Sequence, residues 1–506
     1  MLNPMMRTLI FILSFLSCIP LPAFSQNVRR LNIVQANRLE GSEKGGMKLK
    51  KLIGDVILEH DGTYMYCDSA YHYESDDYFI AYGNVRIRQG SKFELRGNYL
   101  NYNLKSKMAV VDQNVRLTDN EMTLTTKKMY YDMNSKIAYY TQGGQIMDAE
   151  NTLTSEKGYY YVSSKDAYFK KNVKLTNPDF VLTTDSLKYN LNSRRTTFLA
   201  PTTMWGEDLK IYCEEGWYNS ITKETEFRKN AYIFNKEQHI YGDILFYNTN
   251  TKDAWAKGRI VVYDTIENTK VSGNYSEKIE ALNVTYVTDS ALFVKYMNND
   301  TLYLHADTLK LIKDSTTDKD LVSAYPDVRA FSSGFSVRCD SMIYNTKDSM
   351  IWFYHDPVLW HEKSQITADL IILYTKNDEM DKMELQGNGF LAEQVDSMRF
   401  NQVKGRSMMG YFKNNKLDYL DAEGNAESIY FLTDDENKFV GRNNITSSTI
   451  RILMGEDKIQ EIRFMKSPSG KVTPPESMDD KDAFLEGFHW QGDKRPLTLM
   501  DLFFMK

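Results

Sequence analysis

The chain of 506 residues has little cysteine, proline or histidine, with 4 Cys, 11 Pro and 7 His. The composition, with 42% apolar and 26% charged residues, excludes a disordered chain and a polytopic membrane protein. The histidines are scattered, with no HExxH motif and no Cys/His pairs at zinc spacing. We therefore predict no metal site, no cofactor and no catalytic residue. The net charge is only −6, which excludes the basic surface of a nucleic-acid-binding protein.

Long apolar runs are also absent, apart from one near the N-terminus. This run, residues 9–21, follows Arg7 and precedes the small residues Ala23 and Ser25. It is too short to span a bilayer, which takes about 20 residues. The arrangement is typical of a secretory signal peptide that is cleaved after Ser25, although Cys18 leaves lipidation open as an alternative. We therefore expect an exported protein with no transmembrane span.

Tyrosine is abundant, with 34 residues, and much of it recurs in an internal repeat. The repeat has the pattern apolar-x-small-polar-x-apolar-x-Tyr, as in residues 182–189 and 337–344, and it recurs fourteen times at intervals of 29 to 37 residues. The first position is apolar and the third is small in every copy. Such a period indicates stacked units that share one core. The fourth positions of the copies are Asn37, Asp68, Asn98, Lys127, Glu156, Asp185, Glu214, Asp243, Asn274, Asp307, Asp340, Asp369, Arg406 and Arg442.

The parity of the repeat predicts a bend in each strand. Positions one and three lie on one face of a strand, whereas positions six and eight have the opposite parity. The strand must change phase near position four, through a bulge for which the small third residue leaves room. We therefore predict an all-β fold, an elongated, open, V-shaped β-jellyroll of two sheets. It would contain about fourteen repeats, each of two bent antiparallel strands around an apolar interior.

Two segments depart from the period and indicate boundaries. The polar run 313–320 lies in a long interval, and Pro468, Pro474 and Pro475 follow the last repeat. Prolines at this density are typical of a linker. The predicted organisation is a signal peptide at 1–25, N-terminal repeats at 26–320, C-terminal repeats at 321–466, and a proline-containing linker with an apolar tail at 467–506.

The remaining cysteines, Cys67, Cys213 and Cys339, all occupy the third position. At about 10 Å per two-stranded unit, even the closest of them lie far beyond the roughly 7 Å that a disulfide allows between Cα atoms. We expect buried free thiols.

The tyrosines at position eight are expected to pack at a rim with their hydroxyls in water, and a ligand-contacting ladder is the alternative. Asp-Ser/Thr-apolar triplets leave O-glycosylation open.

The repeat resembles that of the OstA-like family, which comprises organic-solvent-tolerance and lipopolysaccharide-transport proteins. Residues 83–102 carry the resemblance well, with Gly-Asn-Val-x-Ile followed by Leu-x-Gly-Asn-x-Leu-x-Tyr, and it extends over about residues 33–466. The chain looks like a long, Bacteroidetes-type member. The resemblance implies a non-enzymatic periplasmic carrier that holds lipopolysaccharide acyl chains in an apolar groove between the inner and outer membranes. It also implies edge-strand pairing with other OstA-like transport components at the ends of the rod.

The predicted groove is lined by apolar residues of the inner columns. Acyl chains buried there would gain about 25 cal/mol per Å², and neighbouring positions would be nearly equal in energy. The alternative is an exported structural or adhesive β-rod with a sealed core and no lipid. An enzyme acting on polysaccharide is less favoured, since no carboxylate pair stands apart from the repeat. Lipid identity, oligomeric state and outer-membrane association stay open. The groove residues are Val85, Ile87, Leu95, Leu100, Leu124, Leu153, Leu182, Ile211 and Ile240.

Overall fold

The computed structural model describes most of residues 31–504, and strands dominate it. The predicted signal peptide, with Cys18, lies outside the described residues. The chain forms two compact units, Met1–Ala149 and Glu150–Lys506. The ranges within 31–504 that are not described are 45–46, 91–92, 120–121, 149–150, 179, 298–299, 315–318, 377–378, 415, 435, 437, 456–457 and 479–482.

The first unit is a ladder of antiparallel strands in chain order. Strands β3 to β8 each pair with the next strand along the chain. At its start β1 and β2 both pair with β3, and at its end β9 and β10 both pair with β8. A 3-10 turn, Glu74–Asp76, connects β4 to β5. The strands are β1 (Asn32–Gln35), β2 (Arg38–Lys44), β3 (Met47–His60), β4 (Thr63–Tyr73), β5 (Tyr78–Gln89), β6 (Phe93–Asn103), β7 (Met108–Asp119), β8 (Met122–Asp132), β9 (Ile137–Tyr140) and β10 (Gly144–Met147).

The second unit continues the same antiparallel pattern and ends in irregular structure. Besides its strands it contains 3-10 turns at Glu280–Leu282, Pro475–Ser477 and Gly492–Lys494 and a short α-helix, Leu499–Phe504. The strands are β11 (Thr152–Ser155), β12 (Lys157–Tyr161), β13 (Asp166–Thr176), β14 (Val181–Asn190), β15 (Arg195–Phe198), β16 (Thr202–Trp205), β17 (Lys210–Cys213), β18 (Glu215–Asn219), β19 (Glu224–Phe234), β20 (Gln238–Asn248), β21 (Ala254–Asp264), β22 (Thr269–Ile279), β23 (Val284–Tyr296), β24 (Thr301–Asp314), β25 (Lys319–Tyr325), β26 (Val328–Phe331), β27 (Ser336–Cys339), β28 (Ser341–Asn345), β29 (Met350–Tyr354), β30 (Val358–His361), β31 (Ser364–Thr367), β32 (Leu370–Lys376), β33 (Glu379–Gln394), β34 (Phe400–Lys413), β35 (Lys416–Thr433), β36 (Phe439–Gly455), β37 (Lys458–Met465) and β38 (Ser469–Thr473).

Bent strands divide the second unit into two layers. One half of β14 pairs with β15 and the other half with β16, and these then pair with β18 and β17 respectively. Apolar side chains of both layers point inward, so the core lies between them. The predicted all-β fold of bent antiparallel strands is confirmed. The division near residue 320 stays a prediction, since the polar run that motivated it connects β24 to β25 and its residues 315–318 are not described.

The predicted bend lies at position four, and a two-residue corner on the neighbouring strand completes it. In the pairing of β4 with β5, the register shifts between Tyr66 and Ser69. This interval contains Asp68 and faces Gly83 and Asn84 on β5. Gly83 has φ +75° and Asn84 has φ +45°, which glycine and asparagine adopt most readily. The amide of Asn84 donates to the Asp68 carboxylate at 3.0 Å, and a Cβ on Gly83 would clash with that carboxylate.

The same left-handed corner recurs along the chain, so the Gly-Asn pair marks a bend. The sequence interpretation treated Gly-Asn only as part of a second strand signal and missed this role. The corner asparagine donates to a carboxylate at position four in several repeats, for example Asn388 to Asp369 at 3.2 Å. Further corners with two positive φ values include Gly54–Asp55, Gln113–Asn114, Lys171–Asn172, Lys229–Asn230, Gly258–Arg259, Asp289–Ser290, His355–Asp356, Gly387–Asn388 and Gly424–Asn425.

Small residues at position three lie on the inner side of the bend, as expected. A Cβ on Gly97 would clash with the Val111 side chain. Cys67, Cys213 and Cys339 are buried and free, which confirms that prediction. Burial raises the pKa of each thiol to about 12, because the thiolate is poorly solvated there.

These thiols are expected to be unreactive in the folded protein. A thiol reagent such as Ellman's reagent at pH 8 should titrate none of the three cysteines in native protein and all three after denaturation, because only the thiolate attacks the reagent. Prompt native labelling of Cys213 would contradict the burial described above.

The tyrosines at position eight differ from the expected rim. Tyr102 and Tyr131 are wholly buried. The Tyr102 hydroxyl forms a 2.7 Å hydrogen bond with His60 Nδ1, and the Tyr131 hydroxyl donates to Gln89 Oε1 at 2.6 Å. Their hydroxyls are therefore paired within the protein, whereas Tyr247, in a later repeat, is 37% exposed. The expectation of water-facing hydroxyls is wrong for the first two.

Candidate functional site

Inner side chains of neighbouring strands in the first unit lie opposite one another in continuous rows. One row passes through Ile87, Leu95 and Leu124, and a second passes through Leu100. Val85 lies opposite Gly97, next to the first row. All five predicted groove residues of this unit are therefore brought together, and none is more than 3% exposed. The first row is Leu58, Met65, Ile87, Leu95, Leu117, Leu124 and Ile146, and the second is Leu52, Ala70, Ala81, Leu100, Val111 and Met129.

The second unit has an inner row of the same kind, and it contains the four other predicted groove residues. These are Leu153, Leu182, Ile211 and Ile240, of which the first three are buried and Ile240 is half-buried. The row joins seventeen strand segments. Its members are Leu153, Leu175, Leu182, Met204, Ile211, Ile233, Ile240, Val262, Val271, Phe293, Leu304, Ala330, Val337, Leu359, Ile366, Leu391 and Val403.

Six of the seven half-buried members of this row lie in its middle, and the seventh, Leu175, lies near its start. We call Met204, Ile233, Ile240, Val262, Val271 and Phe293 the open stretch, because each is half-buried, although Ile211, which lies between the first two, is only 8% exposed. By contrast Leu182 is 2% exposed and Val337 is 2% exposed. The facing layer is closed here, since its Phe227 and Leu245 are each 4% exposed. The open stretch therefore offers aliphatic surface that an apolar ligand could cover.

A charged depression of about 430 Å³ lies on the outside, at the bends of β18 to β21. Most of its charged groups form short-range pairs that resemble those of other corners. Glu215 pairs with Lys229 and Asp243 with Arg259, whereas Glu214 accepts a hydrogen bond from the uncharged Asn230 amide.

The C-terminal segment 483–504, which we call the tail, lies across the outer face of the second unit. Two buried glutamines hold its backbone. Gln402 donates to the Ala483 carbonyl at 2.9 Å and accepts from the Leu485 amide at 2.8 Å. Gln365 does the same with His489 and Gln491, at 2.7 Å each. The tail thus replaces water at these polar groups, as burial requires.

Apolar anchors and further hydrogen bonds extend the tail along the sheet. The Phe400 ring packs against Phe488 and Trp490, with centroids 5.1 and 4.9 Å apart. Leu502 is wholly buried against Leu292 and Val294. The Ser336 hydroxyl donates to the Pro496 carbonyl at 2.7 Å, and Arg329 Nη1 donates to the Leu502 carbonyl at 3.0 Å.

The sequence analysis did not predict where the tail packs. The outward positions of β23 to β34 could have indicated it, because several of them are apolar where solvated residues are expected. Strands that are apolar on both faces are usually covered on both faces. The outward apolar positions are Leu292, Val294, Tyr303, Phe331, Trp360, Phe390, Ala392 and Phe400.

Docking of the tail is expected to weaken below about pH 6.5. His305 packs against Phe503, with ring centroids 4.4 Å apart, and its Nδ1–H donates to the Ala291 carbonyl at 2.9 Å. Burial lowers the pKa of His305, and nearby Arg329 adds to this, while the hydrogen bond and Asp307 and Asp327 oppose it. A depressed folded-state pKa contributes stability above the unfolded value near 6.5, and that stability is lost as the pH falls.

The measurement is tryptophan fluorescence in a titration from pH 7.5 to 5, and the variant Trp490→Phe identifies the contribution of Trp490 among the six tryptophans. The variant His305→Gln lacks the titrating group and should show a flatter profile over this range. Identical profiles for the two proteins would remove His305 from the explanation.

Two further findings concern metals and membranes. Among the described residues, no group of three or more His, Cys, Asp or Glu side chains is placed to hold a metal ion. No helix in the described part of the chain is long and apolar enough to cross a membrane.

Comparison with known proteins identifies one family. No curated protein matches the chain. Among solved structures, the WD40 domain of SCAP from fission yeast aligns at 10% identity over 83% of this chain and 98% of that chain, with a TM-score of 0.09 that carries no argument about the fold. Residues 29–185 and 179–243 match the family described as OstA-like protein. Residues 29–243 are therefore the part of the chain for which similarity to the OstA-like protein family is shown.

Proposed function

We propose that this protein binds lipopolysaccharide through its acyl chains in the apolar interior and carries it through the periplasm between the inner and outer membranes. The OstA-like match supports a transport or binding role, and not a catalytic one. The observation that carries the proposal is the uninterrupted apolar row of the second unit, from Leu153 to Val403. A row of this kind provides similar contacts at every strand.

Such a row would both bind an acyl chain and allow it to slide along the strands. Each buried CH₂ group contributes about 0.8 kcal/mol, so one acyl chain gains several kcal/mol. A step from Ile240 to Val262 exchanges one aliphatic contact for another, so the free energy changes little. Directional movement then needs an energy source elsewhere.

The open stretch is the part of the interior where an acyl chain would meet least resistance. Ile233, Ile240 and Val271 are half-buried without a ligand. In the first unit, Leu95 and Leu100 are wholly buried, so binding beside them would require their neighbouring side chains to move apart. We therefore expect the first contacts of the lipid in the open stretch.

The end strands support the proposed pairing with other OstA-like components. In the described residues β1 and β2 pair only with β3, and β38 pairs only with β36. Val34 and Leu39 are each 55% exposed and Val472 is 59% exposed. Unpaired edges with exposed apolar residues favour strand addition by another chain.

Two measurements test the proposal. Protein purified with its predicted signal peptide intact at expression should release lipopolysaccharide on solvent extraction, detected by mass spectrometry. A photocrosslinking residue at Ile240 or Val271, on the inner side, should capture that lipid. The same residue at the outward neighbours Tyr241 or Ser272, on the same strands, should capture much less.

A sealed structural or adhesive rod is the second candidate, and the closed interior of the first unit favours it. The members of both rows from Leu52 to Leu117 are at most 1% exposed. This candidate expects no lipid in the extract and equal, low crosslinking at Ile240 and Tyr241. Such a result would refute the lipid proposal.

A further inference from the structure

The outer rows beneath the tail continue onto strands that the tail does not reach. In one row Tyr263 lies opposite Lys270, Lys270 opposite Val294, and Val294 opposite Tyr303. Val294 is the first of these covered by the tail, through Leu502. We call the outward residues before it the uncovered strip. They are Trp205, Lys210, Tyr212, Tyr232, Phe234, His239, Tyr241, Val261, Tyr263 and Lys270.

The uncovered strip contains the same kinds of side chains as the covered rows, but the tail does not pack on it. Its rings stack on one another, with centroids 5.1 Å apart for Tyr212 and Tyr232 and 4.6 Å for Tyr232 and Phe234. Trp205 is 42% exposed and Tyr241 is 39% exposed. Beneath the tail, Trp360 is only 1% exposed. A contiguous exposed aromatic patch of this kind marks an interaction surface.

Cross-strand aromatic pairs also stabilise a sheet by themselves, so the strip must be compared with a solvated outer face of the same protein. In the first unit the corresponding row runs from Tyr66 through Arg86 and Arg96 to Arg116. In this row the only aromatic residue among the four is Tyr66, which lies under an arginine side chain, with Arg86 5.1 Å from its ring centroid. This row of the first unit therefore forms without stacked aromatic side chains.

We propose that the uncovered strip binds an extended segment of a partner protein whose anchors are Phe, Trp or Leu side chains. The tail shows what this sheet face accepts, because it lies on the same two rows a few strands away. There the anchors are aromatic or leucine side chains, and polar outward side chains hold the backbone. In the strip His239 can serve as such a polar group, and Lys210 and Lys270 favour a segment that carries carboxylates. The inference is independent of lipid in the interior.

The test uses a fluorescein-labelled synthetic peptide with the sequence of residues 483–504 as the probe. Fluorescence anisotropy follows its titration with the full mature chain. We expect saturable binding that the double variant Tyr232→Ser/Tyr241→Ser weakens at least tenfold. The matched control Tyr66→Ser, an outward tyrosine in the first unit, should leave the affinity unchanged, and a scrambled peptide should not bind.

Each other outcome overturns the proposal. Binding that survives the double substitution would show that the peptide exchanges with the protein's own tail. If the wild-type chain shows no saturable binding, the strip does not bind a segment of the proposed kind. In that case, strip-dependent flotation with phosphatidylglycerol–phosphatidylethanolamine vesicles would identify a membrane surface, and strip-dependent dimerisation in ultracentrifugation would identify a second copy.

Discussion

Removal of residues 483–506 is expected to destabilise the second unit by about 3 kcal/mol and to make the protein self-associate. The tail covers Leu292, Val294, Phe390 and Trp360, which are all less than 9% exposed in its presence. Full burial of each such side chain contributes about 1.5–3 kcal/mol, and most of this gain is offset by the entropy of ordering the tail backbone. Denaturant unfolding and light scattering after gel filtration measure the two effects.

A double variant tests the docking of the tail without shortening the chain. Replacing both Gln365 and Gln402 by Leu keeps the side-chain volume and removes four hydrogen bonds to the tail. Four bonds at about 0.5–1.5 kcal/mol each correspond to about 2–6 kcal/mol, but the loss is limited to the roughly 3 kcal/mol expected for removal of the tail, because a weakened tail can detach. We therefore expect a loss of about 2–3 kcal/mol and release of the tail to a protease. Gln386→Leu, on an exposed outward position of β33, is the control and should change stability by less than about 0.5 kcal/mol. Unchanged unfolding of the truncated chain would show that the tail contributes no net stability.

The variant Leu95→Asp is expected to lose at least about 4 kcal/mol of stability at pH 8. Leu95 is wholly buried between Ile87 and Leu117, so the new carboxylate would have no polar partner and no water. Burial raises the pKa of such a group in the folded state. The loss should therefore grow as the pH rises above the unfolded value near 3.9 and should be smaller at pH 5 than at pH 8.

Two controls make this result specific. Leu95→Asn has similar size and polarity but does not ionise, so its loss should not change with pH between 5 and 8. Arg96→Asp places a carboxylate on the outward neighbour and should cost about 1 kcal/mol or less, since that site is exposed and salt bridges there are weak. Hydrogen exchange of β5 to β7 reports the first unit directly. Equal losses for Leu95→Asp and Arg96→Asp would argue against a closed interior.

The bend and the inner rows could be predicted because each depends on local spacing. Asp68 lies where the register shifts, as the parity of its repeat requires. Ile87 and Leu95 were predicted to line the same interior, and they lie opposite one another. The predicted absence of a disulfide among Cys67, Cys213 and Cys339 likewise followed from their shared position in the repeat.

Features that depend on distant partners were missed or only partly predicted. Parity places Tyr102 inside but does not predict that its hydroxyl forms a hydrogen bond with His60, 42 residues earlier. The accessibility of Ile240 also could not be predicted, because its position in the repeat is equivalent to that of Leu95, which is wholly buried.

By itself the sequence determined the strands, their bends and the identity of the inner rows. These features follow from backbone preferences and side-chain parity, which act over a few residues and are repeated fourteen times. Only the tertiary structure decided which outer rows are covered. Gln402 is buried because the chain returns to it 83 residues later with the Leu485 amide, and no local pattern encodes that return. The outer face of a strand is solvated or buried according to what packs on it, and Trp205 and Trp360 differ for this reason alone.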